Sequence, residues 1–76
     1  MSVTVKCFAS LKEQIGIDQT SLAYLPAMTV NDVWQAITEQ PVPENLLCAR
    51  NYEYVSLEQS VDDGDEIAFF PPVTGG

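Results

Sequence analysis

The sequence contains no histidine, only three basic residues and only two cysteines among 76 positions. Without histidine, the serine–histidine and cysteine–histidine nucleophile systems are absent. Cys7 and Cys48 stand apart rather than as a Cys-x-x-Cys pair. Two thiols without histidine fall short of the four ligands that a structural zinc site or an iron–sulfur cluster normally takes. Lys6, Lys12 and Arg50 face eleven acids, for a net charge of −8. Phosphate backbones need lysine and arginine to displace their counterions, so this balance argues against nucleic acid as a partner. An anionic membrane surface is disfavoured for the same reason. No apolar run approaches the roughly 20 residues of a membrane span. Met1–Lys6 lacks a basic region followed by an apolar stretch, which predicts no secretory signal and a cytoplasmic location. In that reducing compartment a disulfide is not expected, and both cysteines read as small buried hydrophobes.

What remains is an ordinary globular composition, 46% apolar and 18% charged. A chain of this size buries about 60% of its unfolded surface, enough for one core but not for a deep substrate cavity. It is therefore not expected to act as an enzyme on its own. The acids are unevenly spread. Lys6, Lys12, Glu13 and Asp18 cancel in the first 28 residues, and Glu58, Asp62, Asp63, Asp65 and Glu66 crowd into residues 58–66. This acidic run reads either as a solvated, solubilising loop or as a patch that steers a basic partner over about one Debye length.

Hydrophobic spacing predicts an α+β fold. Residues 3–8 alternate as a strand with Val3, Val5 and Cys7 on one face and Thr4, Lys6 and Phe8 on the other. Ser10 is placed to cap a short helical turn in which Leu11 and Ile15 share a face, and Gly16 ends it. Residues 19–25 read as a second strand. Over residues 28–41, Thr29 and Asp32 form the pattern of a capping box, and Met28 and Val33 that of a hydrophobic staple. Val30, Val33, Trp34 and Ile37 follow one helix face, which makes Trp34 a core residue rather than a ligand platform. Pro41 and Pro43 forbid continuation. Residues 47–50 and 53–57 are short strands around a turn at Asn51, Asp62-Asp63-Gly64 is a second turn, and residues 66–70 form the last strand with Ile67 and Phe69 inward. One mixed sheet covered by one main helix plus short helical turns results.

The sequence closes on Pro71-Pro72-Val73-Thr74-Gly75-Gly76. Proline donates no backbone hydrogen bond and holds its predecessor extended, so the domain reads as residues 1–70 and the tail as 71–76. Six residues at ~3.3 Å each reach about 20 Å, far enough to enter another protein's active site. Glycines without a Cβ let a narrow channel close around the terminal carboxylate. The competing reading is an ordinary frayed terminus.

The stretch from Asp62 to Gly76, ending Phe-Phe-Pro-Pro-Val-Thr-Gly-Gly, resembles the C-terminus of the small, sulfur-carrying subunits of molybdopterin synthase. The opening from Val5 to Gly16 is similar to that family's first strand and short helix, and Cys48-Ala49-Arg50-Asn51 to its apolar-Ala-x-Asn element. The resemblance implies a ubiquitin-like β-grasp fold. It also implies that an enzyme like ubiquitin E1 uses ATP to adenylate Gly76, and that a sulfurtransferase then converts Gly76 to a thiocarboxylate. The tail would enter the large catalytic subunit, within a heterotetramer, and sulfur would pass to cyclic pyranopterin monophosphate. The chain itself would bind no cofactor and no metal.

On this reading Gly76 carries the chemistry, and Gly75, Thr74, Val73, Pro72 and Pro71 form the inserting tail. Phe70 points outward beside the tail exit, and Phe8, Tyr54 and Lys12 extend a partner-binding face; the alternative for Phe8 is packing under the short helix. Two other functions share much of this sequence pattern: a sulfur carrier for thiazole formation in thiamine synthesis, and a β-grasp interaction module without tail chemistry.

Overall fold

Strand β1, Ser2–Cys7, runs up the middle of the sheet and turns without a linker into helix α1, Ala9–Ile15. The structure, a computed structural model, describes residues 1–72, so Val73, Thr74, Gly75 and Gly76 lie outside the described residues. The expected Ser10 cap is not made. Phe8 occupies the cap position with no side-chain hydrogen bond, and Ser10 lies inside α1. The reason is that Phe8 still extends β1, its N–H donating to the Phe69 carbonyl at 3.2 Å. Ala9 makes the corner with a left-handed backbone, φ 54°. Gly16 ends α1 as expected, at φ 82°, its N–H donating to the Lys12 carbonyl.

Strand β2, Gln19–Ala23, returns antiparallel to β1 and is shorter than the 19–25 expected. Helix α2, Val30–Ile37, starts on the anticipated capping box: Asp32 N–H donates to Thr29 Oγ1 at 3.3 Å and Thr29 N–H to Asp32 Oδ2 at 2.9 Å. It ends before Pro41, because Thr38 is already extended at φ −155°. Here Trp34 Nε1 donates to the Gln40 carbonyl at 2.9 Å, and the Gln40 and Gln14 side chains hydrogen-bond α2's exit to α1.

Strands β3, Leu47–Arg50, and β4, Glu53–Val55, form a hairpin, and β5, Glu66–Phe70, completes a sheet of order β2-β1-β5-β3-β4. The two central strands, β1 and β5, are parallel and every other neighbour is antiparallel. This is the β-grasp arrangement. One face of the sheet carries the core. Trp34 meets Phe69 edge to face at 5.2 Å, among buried Val3, Val5, Leu11, Val30, Val33 and Ile67. Trp34 is thus a core residue, as its helical spacing implied.

Cys7, Phe69 and Cys48 form one inward row across β1, β5 and β3. Two strand spacings separate the thiols by about 9.5 Å, beyond disulfide reach. Both are free and buried. Burial pushes the Cys7 thiol above its ordinary pKa, with Asp18 adding to it, and burial alone does so for Cys48.

The acidic run is solvated only in part: Glu58, Asp62 and Asp63 are exposed, whereas Asp65 turns inward. Asp65 is only 7% exposed and accepts hydrogen bonds from Arg50 Nε at 2.6 Å, Asn51 Nδ2 at 2.9 Å and the Asp62 N–H at 2.8 Å. Asp62 also pairs with Arg50, Glu66 with Lys6 and Asp63 with the N-terminal ammonium. Burial raises the Asp65 pKa, but the Asp62 N–H, Arg50 and Asn51 outweigh it and hold the carboxyl below its ordinary value. The network ties the β3–β4 turn to the loop that launches β5. Among the described residues, no helix is long and apolar enough to cross a membrane.

Candidate functional site

Both helices pack on the inner face, so the outer face of the sheet is left to the alternate residues of each strand. Register sets Lys6 of β1 beside Ala68 of β5, Ala68 beside Ala49 of β3, and Ala49 beside Tyr54 of β4. One row of the outer face is therefore low in the middle and tall at the side. The next row holds Phe70, with Phe8 beside it because the Phe8 N–H continues the parallel ladder.

The aromatic rings close around this floor. Phe8 and Phe70 stack with centroids 4.9 Å apart and planes 8° from parallel, and Tyr54 meets Phe70 edge-on at 6.2 Å. Tyr52 forms a further wall, and the groove between them holds about 200 Å³. The Lys6–Glu66 ion pair, at 3.2 Å, marks its polar end. Of the seven aromatic residues in the chain, four line this groove. Tyr52 is 86% exposed, Tyr54 74% and Phe8 41%. Such a patch on a small domain marks an interaction surface.

The structure brings Phe8, Phe70 and Tyr54 together. Phe8 does not pack under the short helix; it stacks on Phe70. Lys12 stands outside the groove, half-exposed and 3.7 Å from Asp18. Pro71 and Pro72 follow Phe70 directly, so the chain leaves β5 beside the aromatic pair. Val73, Thr74 and Gly75, expected in the inserting tail, and Gly76, expected to carry the chemistry, lie outside the described residues.

Sequence reasoning missed Tyr52. The hairpin loop is the pair Asn51–Tyr52, both left-handed, at φ 50° and 71°. This is the pattern of a tight two-residue hairpin turn, which usually recruits Asn-Gly. Asn51 was a readable signal, but nothing in the sequence marks a tyrosine in the glycine position. A bulky side chain there costs about 1 kcal/mol. Ala49 and Ala68 were missed too, because small residues within apolar strands look like filler. The polar groups of the groove are Lys6, held by Glu66, and the hydroxyls of Tyr52 and Tyr54. Among the described residues, no cluster of histidine, cysteine or acids is placed to hold a metal ion. The groove's largely apolar lining suits it to hold an apolar group.

The sequence profile of the ThiS family matches residues 5–76. The chain belongs to the ThiS family. The molybdopterin synthase sulfur carrier subunits of Escherichia coli (strain K12) and Haemophilus influenzae (strain ATCC 51907 / DSM 11121 / KW20 / Rd) are 37% and 40% identical to it. Each alignment covers 97% of this chain and 99% of the relative. The crystal structure of SAMP1 from Haloferax volcanii superposes with a TM-score of 0.81 at 28% identity, over 100% of both chains. The resemblance read from the C-terminal motif and the β-grasp fold are both shown by these likenesses. The ThiS-family chain is thus similar, end to end, to subunits that carry sulfur.

Proposed function

We propose that this chain is the sulfur-carrier subunit of a molybdopterin synthase. The observation that carries the reading is geometric: β5 ends at Phe70 inside the aromatic groove, so the docking face and the tail leave the domain at the same edge. A partner that covers Phe8, Phe70 and Tyr54 therefore receives the tail directly. The likeness to sulfur carrier subunits over the whole chain supports the same reading.

The chemistry follows from a carboxylate's weakness as an electrophile. An E1-like enzyme uses ATP to form an acyl-adenylate at Gly76, releasing pyrophosphate. The outer sulfur of a sulfurtransferase persulfide attacks the acyl carbon and AMP leaves. A thiol then cleaves the resulting acyl disulfide, itself ending in a disulfide with the sulfurtransferase sulfur, and a thiocarboxylate remains. The tail (Pro71 through Gly75) then enters the large subunit, whose residues move sulfur to cyclic pyranopterin monophosphate. Two transfers build the dithiolene. The chain contributes reach, a docking face and the reacting carboxylate, and no catalysis of its own. The assembly is a cytoplasmic heterotetramer.

Intact-mass spectrometry of the chain recovered from its native cells tests this. Replacement of one oxygen by sulfur adds about 16 Da, and fragmentation places it on Gly76. A chain bearing only the ordinary carboxylate, in cells actively making molybdenum cofactor, would point to an interaction module without tail chemistry.

A further inference from the structure

The β3–β4 hairpin gives the groove a wall that its fold does not require. Two left-handed residues are needed to close the turn, and glycine or asparagine fills such positions without strain. Tyr52 instead holds φ 71° and is 86% exposed, so its ring contributes little buried area to the free domain. The turn is held in place by Asn51, which donates to Asp65 and accepts from the Glu66 N–H at 2.9 Å. An unfavourable backbone carrying an exposed ring, braced from below, has its gain elsewhere.

We propose that Tyr52 is a specificity-determining residue, the outer wall of a socket over Ala49 and Ala68 that accepts one apolar side chain from a partner with a basic surface. This rests on the reading of the sheet face as the docking face. The alanines leave a cleft of about 200 Å³ between Tyr52, Tyr54 and Phe70, the scale of a single large side chain rather than of a flat contact. Charge draws the partner in. Each copy of this chain carries −8, so a second copy is repelled while a basic surface is attracted. The Lys6–Glu66 pair neutralises the groove's polar end, which leaves the socket itself without net charge. Attraction comes from the surrounding field and selection from the shape of the socket.

The test is titration calorimetry of the full chain against the purified large molybdopterin synthase subunit of the same organism, with melting temperatures measured in parallel. Tyr52→Gly relieves the backbone strain, so its melting temperature holds or rises while binding weakens roughly tenfold or more. Tyr52→Phe keeps the ring and binds like the parent. Ala68→Leu fills the socket floor and weakens binding without loss of the native fold. Unchanged affinity in Tyr52→Gly, with Phe70→Ala weakened, overturns the role of Tyr52 and leaves the docking face standing. Unchanged affinity in Phe70→Ala, or no binding by the parent chain, overturns the docking face and the socket together. A homodimer in sedimentation that Tyr52→Gly dissociates would place a second copy in the socket and also overturn the proposal.

Discussion

Phe8 and Phe70, one just past the first strand and one closing the last, lie face to face at 4.9 Å on the open side of the sheet. The parallel pairing of β1 and β5 brings them there, and the same pairing fixes where the tail departs. Part of the stack is exposed, so its contribution to folding is at the low end for aromatic pairs, about 0.5 kcal/mol beyond area burial. Phe70 is itself partly buried, so Phe70→Ala should cost the free domain about 1–2 kcal/mol in lost burial and stacking, and weaken large-subunit binding by about 2 kcal/mol. Calorimetry and thermal melting on one preparation separate the two effects, and a large loss of stability with unchanged affinity would contradict the assignment.

Asp65 should contribute to the acid limit of the fold. Its folded pKa lies below the unfolded value of about 3.9, so the native state binds its proton less readily than the unfolded state. The stability it contributes is present in full above about pH 5 and is lost as pH falls through the unfolded pKa toward the folded one. Asp65→Asn should cost about 2 kcal/mol at neutral pH, since it removes a charged acceptor from Arg50. It should also flatten the acid limb of the stability profile, which urea melts from pH 2 to 7 would record (an order-of-magnitude range about the reference carboxylate pKa). An equally steep acid limb in the variant would place the titrating group elsewhere.

Tail length, more than tail identity, should decide transfer. Deleting Gly76 or appending residues after it should abolish sulfur transfer with the melting temperature nearly unchanged, because Gly76 lies beyond the last strand. Gly75→Ala should leave folding intact and impair entry of the tail into the large subunit, through the added Cβ. Full transfer from an untrimmed, extended tail would contradict this.

Salt should act on encounter rather than on the bound state. The chain keeps its −8 charge even though most of the 58–66 acids are internally paired. Raising ionic strength should slow association with the large subunit more than it speeds dissociation, as read by stopped-flow. The opposite pattern would mean that the charges act within the interface.

The succession of strands and helices along the chain, the α2 cap and the core face were legible because each rests on local pattern: alternation in β1 and β5, the Thr29–Asp32 box, the spacing of Trp34 and Ile37. The pairing of the strands came only with the family resemblance. The resemblance carried by the C-terminal motif named the family before any geometry. Three features were not legible, and each depends on tertiary pairing. Ser10 loses its cap role because Phe8 remains hydrogen-bonded to β5. Asp65 leaves the solvated run because Arg50 and Asn51 meet it from another strand and turn. Lys12 falls outside the aromatic face because α1 turns it toward Asp18. Tyr52 was hidden for a different reason: its backbone conformation contradicts its residue type.

The most direct test of the central claim is a paired transfer assay. The chain bearing a Gly76 thiocarboxylate is mixed with the large molybdopterin synthase subunit and cyclic pyranopterin monophosphate, and separately with a thiazole synthase and its substrates. The account predicts formation of the dithiolene in the first mixture, with the chain returning to its carboxylate mass, and no thiazole in the second. Thiazole formation without dithiolene would assign the chain to the thiamine pathway and contradict the account.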